Sequence, residues 1–193
     1  MIKAIVIDFF GVFCPDTSLE WLRKNPDFEQ LLPFHQAICD RSDRGELNRS
    51  EFYEEEAKLT NKNIEDVRQV IEDEFYINND LVALVRSLHK KYKVAILSNT
   101  NVGWVEPRIE QAHLEDCFDE LVLSSLTGYA KPDKHIFEIT ASKLNVSFNE
   151  MVFIDDRESN VVPADSYGIK SILFTDVTAL KKELRILDID IKF

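Results

Sequence analysis

The sequence predicts an α/β fold, a parallel sheet between two layers of helices, with an all-helical insertion after the first strand. Three observations carry that expectation. Short apolar runs end abruptly in polar residues, helix-periodic segments alternate with those runs, and the stretch from about residue 15 to 77 holds no strand pattern. Strands buried on both faces read as continuous apolar runs, whereas half-exposed strands alternate.

In chain order the first strand is Ile2–Ile7 (IKAIVI), which stops at Asp8. The insertion follows, rich in charge, with Ile64, Val67, Ile71 and Phe75 at helical spacing. Leu81, Leu84, Val85 and Leu88 then fall at i, i+3, i+4, i+7, the stripe of a helix laid on a core. The second strand, Val94–Leu97, runs into Ser98-Asn99-Thr100-Asn101, and Phe118–Leu123 makes a third. Ile136, Phe137, Thr140, Ala141 and Leu144 repeat the helical stripe before the runs Met151–Ile154 and Ile169–Phe174. Alternation of this kind argues for a doubly wound parallel sheet. The expected division is a three-layer core of residues 1–14 and 78–193, with the helical insertion at 15–77.

A chain of 193 residues suits one such domain plus an insertion, and 45% hydrophobic with 30% charged residues is a globular balance. A net charge of −12 disfavours nucleic acid and anionic membranes as partners. Cys14, Cys39 and Cys117 are odd in number and widely spaced, so neither a disulfide framework nor a zinc site is expected, and a reducing compartment fits. The opening apolar stretch is too short for a signal peptide, and no run approaches the ~20 residues that span a bilayer. The expectation is a cytoplasmic protein.

Ligands of open α/β sheets bind beyond the carboxyl ends of the strands. There the sequence places Asp8, then Ser98 and Asn99, then Asp155 and Asp156, with Lys131 in a loop before a helix. Asp8 and Asp156 brought together need a cation between them. Hard oxygen ligands beside a phosphate favour Mg²⁺. Ser98 and Asn99 would hold the phosphate oxygens, and Lys131 would add a point charge to them and to Asp8. A carboxylate nucleophile, a metal and donors around developing charge are what nucleophilic phosphoryl transfer requires. Each element alone has a plainer account: Asp8 or the Asp155-Asp156 pair as helix caps, Ser98-Asn99-Thr100 as a turn, Lys131 as a surface charge. Their order and spacing together give the signal.

In that order the motifs resemble those of the haloacid dehalogenase-like hydrolases. Asp8-Phe9-Phe10-Gly11-Val12 is similar to the first motif, Ser98-Asn99 to the second, Lys131-Pro132 to the third and Asp155-Asp156-Arg157-Glu158-Ser159-Asn160 to the fourth. The resemblance spans essentially the whole chain and implies a Rossmann-like core with a helical cap. It is nearest the branch of sugar-1-phosphate phosphatases and the N-terminal phosphatase domain of soluble epoxide hydrolase. Arg44-Gly45-Glu46-Leu47 ahead of Phe52 looks like that branch too. It implies Asp8 as nucleophile forming an aspartyl-phosphate, and magnesium held by Asp8, the Phe10 carbonyl and Asp156. Asp155 and Asn160 would support these, and Ser98, Asn99 and Lys131 would bind the phosphate of a small phosphorylated metabolite.

One position departs from the pattern. The family's phosphatases usually carry a second Asp two residues after the nucleophile, as acid and then base, and here Phe10 stands there. Such catalysis is worth ~10²–10⁴-fold, so rate should depend steeply on leaving-group basicity. Two alternatives follow: a catalytically weakened or silent binding protein, or a haloacid dehalogenase, which often has an aromatic residue here but no use for the acidic pair. Elsewhere, His35, His89, His113 and His135 lack metal-ligand spacing and read as core or surface residues. Trp21, Phe28, Phe34 and Phe52 read as cap packing or cleft lining, and Glu54-Glu55-Glu56 as a solvated helix face. Arg41 and Arg44 are within reach of the phosphate site, with no orientation given by sequence.

Overall fold

All five apolar runs become strands of one parallel sheet in the computed structural model, which describes residues 1–73 and 76–191. They are β1 (Ala4–Ile7), β2 (Lys93–Ser98), β3 (Glu120–Leu123), β4 (Met151–Asp155) and β5 (Lys170–Leu173), in spatial order β3-β2-β1-β4-β5. β1 lies centrally, with Ile7 opposite Ile96 of β2 on one side and Ile154 of β4 on the other. Every residue of β1 is fully buried, which is why no polar alternation marks it in the sequence.

Side chains alternate between two cores. Ile5, Ile7, Val94, Ile96, Val152 and Ile154 pack with α5 (Asn79–His89) and α10 (Val177–Ile186). Ala4, Val6, Ala95, Leu97, Met151 and Phe153 pack with α8 (Lys134–Leu144) and α9 (Glu158–Ser166). The periodic residues named above fill these cores: Leu81, Leu84, Val85 and Leu88 from α5, Ile136, Phe137, Ala141 and Leu144 from α8. Each such Leu, Val, Ile or Phe side chain contributes roughly 1.5–3 kcal/mol of burial. Asn78, Asp133 and Asp176 cap α5, α8 and α10 by accepting backbone N–H groups, so the loops entering these helices are fixed.

Between β1 and α5 come four helices: α1 (Thr17–Arg23), α2 (Phe28–Asp43), α3 (Arg49–Thr60) and α4 (Ile64–Asp73). Ile38, Leu47, Phe52, Tyr53, Ala57, Val67 and Ile71 form their own apolar cluster, joined by Trp104 from the loop after β2. Asn48 and Glu51 form a reciprocal capping box at the start of α3. Phe75, expected to continue the α4 stripe, lies outside the described residues. The two short remaining helices near the site are α6 (Glu106–Gln111), after β2, and α7 (Ser124–Thr127), after β3. No helix among the described residues is long and apolar enough to cross a membrane.

The acidic run of α3 corrects its sequence reading. Glu54 is exposed, but Glu56 is fully buried and bonded to His35 at 2.7 Å. Phe52, Glu56 and Thr60 share the buried face at four-residue spacing, and that register turns the third acid of the run inward.

Candidate active site

The strand order reverses at β1, and the polar ends of β1, β2 and β4 meet there. Asp8 follows β1 directly, its N–H donating to the Ile154 carbonyl at 2.9 Å. Its Oδ1 accepts the Phe9 N–H at 2.7 Å and the Lys131 ammonium at 2.7 Å. That ammonium also lies 2.7 Å from Asp155 Oδ2 at the end of β4. Asp155 further accepts the Arg157 N–H at 2.9 Å and the Asn160 amide at 3.1 Å on both oxygens. Asp8, Asp155 and Lys131 are all buried.

Asp156 sits beside this network without sharing in it. Its Oδ1 is buried and has no hydrogen-bond partner among the described residues, and oxygens of Asp8, Asp155 and Asp156 lie within 4.8 Å of one another. The Asp156 carboxylate rests against Gly11, where an added Cβ would fall 2.3 Å from Oδ2. Gly11 also has φ +86°, a region that side chains rarely tolerate. Glycine is therefore required there twice, by the turn and by the approach of the acid.

Electrostatics separate the three acids. Burial pushes Asp8 well above the usual carboxylate range against the pull of Lys131, and Asp155 and Asp156 add to the rise. Burial acts the same way on Asp155, but Lys131 with the Arg157 and Asn160 hydrogen bonds outweighs it and holds that acid below its usual range. Asp156 is raised, by burial first and the Asp155 charge second. Two acids raised and one oxygen left bare form a site short of positive charge. The donors fit a hard divalent cation such as Mg²⁺, which takes carboxylate oxygens and needs no soft ligand.

The expected phosphate ligands divide. Lys131 lines the cleft beside Asp8. Asn99 lines it as well, but its carboxamide is engaged on both sides by the Lys131 backbone, Nδ2 donating to the carbonyl at 2.9 Å and Oδ1 accepting the N–H at 2.7 Å. Asn99 therefore positions the lysine. Ser98 is fully buried, with its hydroxyl turned to the Asn99 carbonyl at 3.4 Å, and is not among the residues facing the cleft, whereas Thr100 is.

Phe10 faces the cleft and packs edge-on to Trp104, ring centres 6.4 Å apart, with the Arg108 guanidinium 5.9 Å from its own ring centre. It bridges the sheet core and the cap cluster. Phe52 lines the cleft, while Trp21 lines a separate hollow and Phe34 is exposed. Arg41 and Arg44 are engaged by Glu55 and Glu46 away from the cleft. Their place is taken by Arg157, which pairs with Asp16 at 2.7 Å, and Asp16 in turn caps α1. Sequence reasoning passed over Asp16, Asp43, Arg157 and Arg108 as cleft residues, and it set aside His35, which lies there too. Helix α2 held a usable signal, since His35, Cys39 and Asp43 recur every four residues and all face the cleft.

The chain belongs to the haloacid dehalogenase-like hydrolase family, whose match covers residues 2–164. It is 29% identical over 205 residues to a D-ribitol-5-phosphate phosphatase of Bacteroides thetaiotaomicron, covering 97% of this chain and 98% of that one. It is 33% identical over 107 residues to a sesquiterpene phosphatase of Aspergillus oryzae, and that match spans 54% of either chain, about half of the relative's length. Among solved structures, a magnesium complex of a HAD family enzyme from Bacteroides thetaiotaomicron superposes with a TM-score of 0.75 at 25% identity, covering 94% of this chain and 98% of that one.

Two outcomes follow for the metal-free protein. An acid whose folded pKa is raised binds its proton more tightly folded than unfolded. Stability therefore falls as pH rises from the ordinary carboxylate pKa of ~4 through the raised folded value. Magnesium added at neutral pH should then raise Tm. Asp156→Asn should raise the metal-free Tm by about 2–4 °C, if about 1 kcal/mol of repulsion is relieved, and remove most of the magnesium increment. Thermal denaturation with and without the ion checks both, and an unchanged magnesium increment in Asp156→Asn would count against the site. Gly11→Ala should cost on the order of 1–3 kcal/mol from backbone strain and also abolish the magnesium increment, because the new methyl displaces the Asp156 carboxylate. A Gly11→Ala protein with wild-type Tm and a full increment would contradict this packing.

Proposed function

We propose that this protein is a magnesium-dependent phosphatase of small phosphorylated metabolites, working through an aspartyl-phosphate on Asp8 beneath a helical cap of residues 15–77. The observation that carries the reading is the Lys131 ammonium held 2.7 Å from both Asp8 and Asp155, beside an Asp156 oxygen with no partner. A silent binding protein has no need of an uncompensated buried acid, which is costly unless a cation completes it. A dehalogenase has no use for a cation here.

In this mechanism Asp8, Asp156 and the Phe10 carbonyl would hold a magnesium ion, which when bound would screen the negative charge of the incoming phosphate. Oδ1 of Asp8 is fixed by Lys131 and the Phe9 N–H, so Oδ2 carries the attack on phosphorus. Lys131 neutralises charge on the phosphoryl oxygens as they swing through the transition state. Asp155, itself oriented by the Asn160 amide, holds that ammonium from behind, and Asn99 fixes the lysine's backbone. Thr100 and Asn99 border the phosphate's position on the β2 side. The organic part of the substrate lies against Phe10, Phe52, Trp104 and the polar face of α2, which line the same cleft as Asp8 and Lys131.

Phosphate release from a panel of small monoesters, with Mg²⁺ and with EDTA, tests this directly. Chelation and Asp8→Asn should each reduce turnover to background. Lys131→Ala should lower kcat/KM by ~10–150-fold, the worth of a ~1.5–3 kcal/mol charged hydrogen bond. Lys131→Arg should not restore it, since a planar fork cannot take the place of a compact ammonium between two carboxylates. Undiminished activity in EDTA or in Asp8→Asn would refute the reading.

A further inference from the structure

A further acid lines the cleft in which Phe10 stands where the family pattern has a carboxyl. Asp43, the last residue of α2, lines the same cavity as Asp8 and Lys131. Its electrostatic neighbours come from four places: Arg157 after β4, Asp16 after β1, Lys131 before α8, and Asp40 on its own helix. Among the described residues no hydrogen bond or ion pair engages its carboxyl. The other acids and bases of the cleft are committed. Asp8 is bound by Lys131, and Asp16 by Arg157, Ser18 and the Leu19 N–H. His35 has Glu56 on Nδ1 at 2.7 Å and Cys39 on Nε2 at 3.4 Å.

We propose that Asp43 is the proton donor to the leaving group, and then the base for the attacking water, in place of the carboxylate that Phe10 displaces. This rests on the phosphatase reading above. In the first step Asp8 Oδ2 bonds to phosphorus, the bond from phosphorus to the ester oxygen breaks, and the Asp43 carboxyl proton passes to that oxygen. In the second, water attacks the aspartyl-phosphate and loses a proton to the Asp43 carboxylate. Inorganic phosphate leaves, and both acids return to their starting forms. The acid must hold its proton near neutrality for this cycle. Burial, chiefly, with Asp16 and Asp40 adding and Arg157 and Lys131 opposing, pushes Asp43 up to about 7, the range in which one group serves as acid and then base.

Rapid-quench kinetics with p-nitrophenyl phosphate and phenyl phosphate, at saturating Mg²⁺, test this in the intact protein. The two esters share a phenyl ring, and the nitro group of one makes its leaving group much less basic. Wild type should turn over both, and Asp8→Asn neither. Asp43→Asn should release p-nitrophenolate in a burst stoichiometric with enzyme and near the wild-type rate. Its steady state should then slow by at least ~100-fold, the lower end of what acid–base catalysis offers, because the second step has lost its base. On phenyl phosphate the same variant should show no burst and a first step at least ~100-fold slower. Asp43→Glu should recover part of the phenyl phosphate rate, and the wild-type rate on that ester should fall above pH ~7, a limb absent in Asp43→Asn. Equal losses in the first step on both esters, or wild-type kinetics in Asp43→Asn, would overturn the assignment of Asp43 while leaving the phosphatase reading in place. A wild type inert to both esters would overturn the reading and the assignment with it.

Discussion

A buried ammonium between two buried carboxylates organises this molecule's chemistry. Lys131 reaches Asp8 at the end of β1 and Asp155 at the end of β4, adjacent strands whose ends come together only because the sheet is parallel and in this order. Removing one member of such a cluster typically costs 3–5 kcal/mol, because the charges left behind have no water. The hydrogen bonds around it act on the same constraint. Asn99 grips the Lys131 backbone, Asn160 bridges both oxygens of Asp155, and the Phe9 N–H orients Asp8. One lysine cannot neutralise three acids, however, and the deficit falls on Asp156. The protein is folded around a charge that it does not itself complete.

The helices between β1 and α5 convert this strand-edge site into an enclosed one. They are tied to the core through Arg157 and Asp16, through Trp104 within the cap cluster, and through Phe10, which packs on both sides of the boundary. Phe10 thus has a packing role in the wall of the cleft. The consequence is a division of labour, with the end of the cleft at Asp8 and Lys131 built from strand ends and the far end built from α2.

Much of this was legible from residues in order. Strands covered on both faces must be continuously apolar, so five runs gave five strands, with edges displaced by at most two residues. Asp8, Lys131 and the Asp155-Asp156 pair were legible because strand ends in such sheets converge by topology. The cap was not legible in the same way. Periodicity says that a helix has an apolar face, but it does not say which polar residues flank that face toward a cleft. Arg41 and Arg44 turned outward while Asp43 turned in, and Glu56 was drawn inside by the buried His35. Motif position points to the Ser98 hydroxyl for the phosphate, whereas the structure buries that hydroxyl against the Asn99 carbonyl and Thr100 lines the cleft.

The central claim is that Asp8 becomes covalently phosphorylated. Acid quenching of the wild-type protein during turnover of p-nitrophenyl phosphate with Mg²⁺, followed by peptide mass spectrometry, tests it without reference to any natural substrate. The account predicts one added phosphoryl group on the peptide containing Asp8, labile to hydroxylamine as acyl phosphates are, and absent when EDTA replaces the metal or Asn replaces Asp8. Active turnover with no label on that peptide, or the label on another residue, would contradict it.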